Sequence, residues 1–187
     1  MSILIPIPIP ISIPARHREG AKQYYKCAIL TISTSKHKNR AQNDISGSVA
    51  RSLVTERGHE VVYYDVIPDI EERIYEGIIK AQDSGADFII TTGGTGLTKD
   101  DVTIETVSKL MDKELPGFGE LFRLKSYEQI GNAAILSRAT AGVIGSKTIF
   151  CLPGSPDAVR LALAEIILPE IPHIMRHVRE KSNQKLR

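Results

Sequence analysis

From Tyr25 onward the chain alternates short apolar runs with segments whose apolar residues recur every three or four positions. Cys27 to Ser33 (CAILTIS) is a continuous apolar run and predicts the first, central strand. Asp44 to Arg57 sets Ile45, Val49 and Leu53 on one helical face, and Gly58 stops that helix. Glu60 to Val66 (EVVYYDV) is β-branched and aromatic and predicts a strand. Pro68 and Asp69 open a helix carrying Ile70, Ile74, Ile78 and Ala81, which ends near Gly85. Asp87 to Thr92 is the third strand. Thr103 is placed as the N-cap of a helix through Lys113. Pro116 and Gly117 break the chain, and Phe118 to Ile130 reads as a further helix. Ala133 to Arg138, Ala141 to Ile144 and Thr148 to Leu152 read as short extended segments. Ser155 as N-cap, Pro156 at the first helical position and Asp157 in the first turn start the C-terminal helical region, which Pro169 and Pro172 divide. This β-α-β order implies an α/β domain with a largely parallel sheet and helices on both faces. Ligands of such sheets bind outside the carboxyl ends of the strands.

The third strand runs into the most informative stretch, Phe88 to Thr103, FIITTGGTGLTKDDVT. Gly93, Gly94 and Gly96 lack a Cβ, so the backbone can take φ > 0 and approach a ligand closely. Successive N–H groups in such a turn form an anion nest. Asp100 and Asp101 add the hard oxygen ligands that Mg²⁺ prefers. A phosphate cradle beside a carboxylate points to phosphoryl or nucleotidyl chemistry. The stretch is neither a Walker A loop, since Lys99 is followed by Asp100, nor a G-x-G-x-x-G fingerprint. A second glycine turn, Pro153-Gly154-Ser155, leads into a free helix N-terminus, itself an anion site. A third segment, Val66 to Asp69, ends the second strand at the same edge. Asp69 carries two readings: a ligand of the site, or an N-cap with Glu72 three residues on. Asp100 also reads as a solvated loop acid, and Asp101 is favoured because Val102 beside it anchors the turn. Ser137 and Arg138 supply a hydroxyl and a cation, or only turn chemistry.

Composition narrows the partners. The chain has 187 residues and net charge +2 with acids and bases interspersed. That argues for one domain and against nucleic acid, where clustered cations supply most of the affinity. The basic clusters Lys36 to Arg40 and Arg176 to Arg187 read as solvated loop and terminus. Cys27 and Cys151 fall inside predicted strands, which suits packing thiols in a reducing compartment. His173 and His177 lie i, i+4 on a helix; without a third ligand nearby, a solvated face is expected rather than a metal site. No apolar run approaches the ~20 residues that span a bilayer. The first fourteen residues, MSILIPIPIPISIP, are incompatible with a helix because of their prolines. Residues 1–24 are therefore expected to be an Ile/Pro-rich extended arm whose isoleucine face packs on a surface, such as a neighbouring subunit. Residues 25–187 are expected to form the single α/β domain.

TTGGTG followed by DDVT, PGFGE at 116–120, LSRATAG at 136–142 and LPGSP at 152–156 together resemble the molybdenum cofactor biosynthesis family of MogA/MoaB type, the molybdopterin adenylyltransferases. GELFRLKSYEQIG at 119–131 resembles the MoaB branch most. The resemblance runs from about Tyr25 to the end. It implies a three-layer αβα domain of the molybdopterin-binding type, located in the cytoplasm. It implies that the terminal phosphate of molybdopterin attacks the α-phosphate of ATP and expels pyrophosphate. Gly93, Gly94, Thr95 and Gly96 would hold phosphate. Asp101, matching the DVT aspartate, and Asp69, matching the IPD aspartate, would be catalytic and engage Mg²⁺. Ser137, Gly154 and Ser155 would line the substrate pocket. The family also implies a homo-oligomer, a trimer or dimer of trimers, and a molybdenum insertase acting downstream. One departure is Ser33-Thr34, where the adenylyltransferases commonly show Ser-Asp. The alternative from another class is a non-catalytic molybdopterin-binding carrier, against which retention of both Asp69 and Asp101 argues.

Overall fold

A computed structural model of the chain describes residues 24–39 and 43–184. The Ile/Pro-rich arm, and the packing expected of it, lie outside these residues. The element order is β1 (Lys26–Ile32), α1 (Thr34–Lys38), α2 (Ile45–Glu56), β2 (Glu60–Ile67), α3 (Glu71–Asp83), β3 (Phe88–Thr92), α4 (Thr103–Ser108), β4 (Lys113–Glu114), α5 (Pro116–Ile130), a 3₁₀ helix (Gly131–Leu136), β5 (Thr140–Ile144), β6 (Lys147–Leu152), α6 (Pro156–Leu161), a π-helical stretch (Ala162–Ile167) and α7 (Leu168–Gln184).

The strands form one six-stranded sheet in the order β2-β1-β3-β6-β5-β4. The first four run parallel, and β5 and β4 complete one side antiparallel. β1 lies inside the sheet, so both its faces need apolar cover, which is why its sequence does not alternate with polar residues. Cys27 and Ile29 enter one core, with Ala50 and Val54 of α2, Phe118 and Phe122 of α5, and Leu163 and Ile171 of the C-terminal helices. Ala28, Leu30 and Ile32 enter the other, with Ile74, Ile78 and Ala81 of α3 and Val107 of α4. Three layers result, as the β-α-β order implies. The two cysteines are free and buried, in cores on opposite faces. Burial pushes both thiols up, that of Cys151 to about 12. No described helix is long and apolar enough to cross a membrane.

Several local expectations give way to tertiary structure. α1 was not anticipated; Ser33 caps it, accepting from the Lys36 N–H. In α2 the buried face is Ser46, Gly47, Ala50 and Val54, while Ile45 is 60% exposed. Thr103 does not cap α4: the cap is Val102, and the helix stops at Ser108. Lys113 instead pairs with Val143 in the sheet. Pro116 does not break the chain but opens α5 at its first turn, where a missing N–H costs nothing. Of the segment Ala133 to Arg138 expected to be extended, residues up to Leu136 belong to the 3₁₀ helix Gly131–Leu136. The C-terminal region is helical throughout from Pro156 to Gln184, with Pro172 inside a helix. The π-helical stretch just ahead of Pro169 is the kind of widening through which a helix takes up such irregularity.

Candidate active site

Parallel pairing brings the carboxyl ends of β1, β2, β3 and β6 to one edge, and the turns leaving them touch. The Gly93 N–H donates to the Leu152 carbonyl at 3.0 Å, and Thr92 Oγ1 donates to the Pro153 carbonyl at 3.0 Å. A Cβ on Gly154 would sit 3.3 Å from the Gly93 Cα. Gly93 and Gly94 adopt φ of +101° and +61°. A Cβ on Gly93 would meet the Ile32 carbonyl oxygen at 2.2 Å, so glycine is required there by backbone and by space. The two glycine turns thus share one edge. From the other side, Ser46 Oγ donates to the Gly154 carbonyl at 2.6 Å.

Asp69 reaches this edge from the end of β2. It does not cap α3, whose N-cap is Ile70 and has no side-chain bond. The Asp69 N–H donates to Thr34 Oγ1 at 3.0 Å. Its Oδ1 is buried with no hydrogen-bond partner, as is Thr103 Oγ1. A Cβ on Gly94 would lie 2.1 Å from the first and 2.2 Å from the second. Leaving such an atom unpaired costs about 1–3 kcal/mol, so both oxygens call for a partner. Burial raises the Asp69 pKa to about 6, with the charges of Asp101 and Asp100 adding to it. The protein gives this carboxylate burial and two like charges, and a divalent cation is its natural complement.

Asp101 is held differently. Its Oδ2 accepts from the Thr98 hydroxyl at 2.5 Å and the Thr98 N–H at 2.9 Å. The Thr98 hydroxyl is the main reason its pKa is lowered; the N–H groups of Thr98 and Gly96 and the Arg138 charge act the same way, against burial. Arg138 donates to the Gly96 carbonyl at 2.9 Å and pairs with Glu105, so this cation braces the glycine turn. Thr95 is buried in the turn. Ser137 is half-buried beside Arg138 at the end of the 3₁₀ helix. Ser155 caps α6, accepting from the Ala158 N–H at 3.2 Å, as the sequence predicts. The donor set suits Mg²⁺, which takes one or two carboxylates and completes its shell with phosphate and water. Among the described residues no group of three or more His, Cys, Asp or Glu assembles a metal site, and His173 and His177 instead contact each other, Nε2 to Nε2 at 3.0 Å.

Residues 28–173 match the family described as "Probable molybdopterin binding domain". The chain belongs to that family, the molybdenum cofactor biosynthesis proteins. It is 46% identical over 160 residues to molybdenum cofactor biosynthesis protein B of Bacillus cereus, covering 84% of this chain and 93% of the relative. It is 43% identical over 168 residues to the molybdopterin adenylyltransferase of Pyrococcus furiosus, covering 88% and 97%. The crystal structure of the tungsten cofactor synthesizing protein MoaB from Pyrococcus furiosus superposes with TM-score 0.80 at 43% identity, covering 85% of this chain and 99% of that one. Family and MoaB branch agree with the motifs, and the three-layer fold is that of the family's solved members.

Within this family framework, three contributors escaped the sequence reading. Thr34 pins the backbone of Asp69, Ser46 holds Gly154, and Thr103 lies under Gly94 rather than capping a helix. The small-residue run Ser46-Gly47-Ser48 at a helix start was the available signal, because it allows the helix to approach a neighbouring turn closely. Nothing in the local pattern marked Thr34 or Thr103.

Proposed function

We propose that the protein adenylylates molybdopterin with ATP and releases pyrophosphate. The observation that carries this reading is Asp69: a carboxylate at the strand edge, set against the phosphate-type turn, with no backbone or charged partner on its buried oxygen and a second aspartate close enough to raise its pKa. The activity named for the Pyrococcus furiosus relative supports it. Two anions must approach, the terminal phosphate of molybdopterin and the α-phosphate of ATP. Gly93, Gly94, Thr95 and Gly96 form the phosphate cradle: the N–H groups of Gly94 and Thr95 receive phosphate oxygens, whereas those of Gly93 and Gly96 are engaged by the Leu152 carbonyl and Asp101 and hold the shape of the turn, and Gly154 and Ser155 close the pocket from the β6 side. Asp69 and Asp101 would hold Mg²⁺, which supplies charge neutralisation on the phosphates. Ser137 offers a hydroxyl at the pocket wall. Catalysis of this type rests on positioning and electrostatics more than on covalent chemistry.

Anaerobic incubation with authentic molybdopterin and Mg-ATP, scored for pyrophosphate, tests the proposal. Stoichiometric release and an adenylylated pterin are expected. Tight pterin binding with no pyrophosphate would replace the enzyme by a carrier. A cytoplasmic location and a molybdenum insertase as the next partner belong to the same reading, since an activated pterin has to be handed on to metal insertion.

We extend the reading to a homo-oligomer, a trimer or dimer of trimers. Its support is an apolar strip along α5 and the 3₁₀ helix, where Leu124, Tyr127, Ile130 and Leu136 are exposed and Ile135 is 83% exposed. Apolar patches of this kind mark association surfaces. In sedimentation the wild type should run as the oligomer and Ile135→Asp should shift it towards the monomer. A monomeric wild type would overturn this part alone.

A further inference from the structure

We propose that Thr103 is a positioning residue of this site: its side-chain hydroxyl donates to the buried Oδ1 of Asp69 and fixes the carboxylate against the glycine turn, leaving its second oxygen for the cation. The inference rests on the reading of Asp69 given above and names the residue that aims it.

Three observations converge. The backbone around Asp69 is already fixed, because the Ser33 N–H donates to the Ile67 carbonyl at 2.8 Å and the Asp69 N–H donates to Thr34 Oγ1 at 3.0 Å. What remains to be set is the direction of the side chain. The Asp69 Oδ1 and the Thr103 Oγ1 are both enclosed and both unpartnered. Each lies close to one point above the Gly94 Cα, at 2.1 and 2.2 Å, so the two oxygens can be no farther apart than the sum of those distances. A hydroxyl is donor and acceptor, whereas an ionised carboxylate only accepts. Closing the gap between them satisfies both atoms at once and uses no other group.

The position of Thr103 has no competing use for that hydroxyl. α4 is capped by Val102 without a side-chain bond. The tie between Thr103 and the turn is made by the backbone, whose N–H donates to the Gly94 carbonyl at 3.0 Å. A fully buried residue at the start of a short helix would ordinarily be apolar, and valine has nearly the same shape. Threonine therefore costs the fold an unpaired hydroxyl unless that hydroxyl serves Asp69. Through Gly94 the same residue sets the turn by its main chain and the carboxylate by its side chain, so cradle and acid keep a common register.

The test uses Thr103→Val, which keeps shape and backbone, and Thr103→Ser, which keeps the hydroxyl. Crystal structures of the full-length wild type and both variants read the Asp69 side chain directly. The wild type and Thr103→Ser should place the hydroxyl within hydrogen-bond distance of Oδ1, and Thr103→Val should show Asp69 turned or split between rotamers. Calorimetry with Mg-ATP gives the second readout: roughly tenfold weaker binding is expected for Thr103→Val, and binding within about twofold of wild type for Thr103→Ser. Asp69 unmoved in Thr103→Val, or nucleotide affinity equal to wild type in that variant, overturns the proposal. A wild type that fails to bind Mg-ATP counts against the adenylyltransferase reading instead, and the crystallographic comparison still decides the role of Thr103.

Discussion

Asp69 and Asp101 carry the same side chain to the same edge of the sheet and are treated in opposite ways. Asp69 has a buried oxygen without a donor, and burial, followed by the charges of Asp101 and Asp100, lifts its pKa to about 6. Asp101 is half-buried on its loop, and the Thr98 hydroxyl, then the N–H groups of Thr98 and Gly96, hold its pKa below the usual carboxylate range. The difference teaches what each acid is for. One oxygen of Asp101, Oδ2, is engaged by Thr98 in closing the loop from Gly96 to Asp101. The charge of Asp69 is uncompensated by the protein and is available to whatever enters the site. Environments that push paired carboxylates apart in pKa are how a single edge assigns two roles.

The largest expected effect follows from that division. Asp69→Asn, nearly isosteric and uncharged, should slow adenylylation by roughly a hundredfold, the scale of losing a key electrostatic group. As an N-cap, which Asp69 resembles in sequence, it would have ranked second to Asp101; without that role it ranks first. Asp101→Asn should cost less, about tenfold, because an amide oxygen still accepts one of the Thr98 bonds while the charge is lost. Its loss should appear partly in KM, through a looser turn. Steady-state kinetics on both variants sharpens the comparison, and a larger loss at Asp101 than at Asp69 would invert it. Smaller still is Thr98→Val. It removes the strongest influence on Asp101, whose pKa should rise towards the ordinary carboxylate range, with less than about twofold change in turnover. Carboxyl ¹³C shifts across a pH series would read it, and an unmoved Asp101 would break the account of its environment.

How much of this was legible beforehand depends on the range of the interactions. The parallel strands announced themselves, because CAILTI, FIITT and TIFCL are buried on both faces and must be continuously apolar. The glycine turns and the Ser155 cap are local chemistry and stood out for the same reason. The face of α2 did not, since hydrophobic periodicity weights large residues. Its buried side is mostly small, Ser46, Gly47 and Ala50 ahead of Val54, which lets the helix start lie close to the sheet edge. α4 ends early because Lys113 and Glu114 are recruited by β5, a pairing that no local window contains. Ala133 to Arg138 reads as an extended segment because Ile135 and Leu136 are apolar, yet both are exposed and 131–136 form the 3₁₀ helix. Among the candidate site residues, motif order singled out Asp69 and Asp101. Only coordinates could reveal that one is orphaned and the other braced, because Thr34, Thr98 and Thr103 act across turns.

The smallest effect separates the two acids by pH alone. Asp69 holds its proton more tightly in the folded chain, at about 6, than in the unfolded chain, at about 3.9. Between those values the folded state binds more protons than the unfolded state, so stability falls as pH rises through the window and levels off above it. Asp101 has the opposite sign. Its folded pKa is depressed, so its contribution is present above the unfolded value and lost as pH falls through the folded one. The melting temperature of wild type minus that of Asp69→Asn, in Mg²⁺-free buffer, should therefore be more positive at pH 5 than at pH 7.5. For a chain of this length each kcal/mol moves the midpoint by about 2–4 °C, so a change of a few degrees is expected. The same difference taken with Asp101→Asn should be flat over that range and change only below about pH 4. Taking differences against each variant cancels the other titrating groups, including His59, whose pKa burial lowers. Adding Mg²⁺ should raise the wild-type midpoint more at pH 7.5 than at pH 5, because proton and cation compete for the same oxygen atoms. If the Asp69 difference is independent of pH, the carboxylate is not held as its burial requires, and the contrast between the two acids collapses to their hydrogen bonds alone.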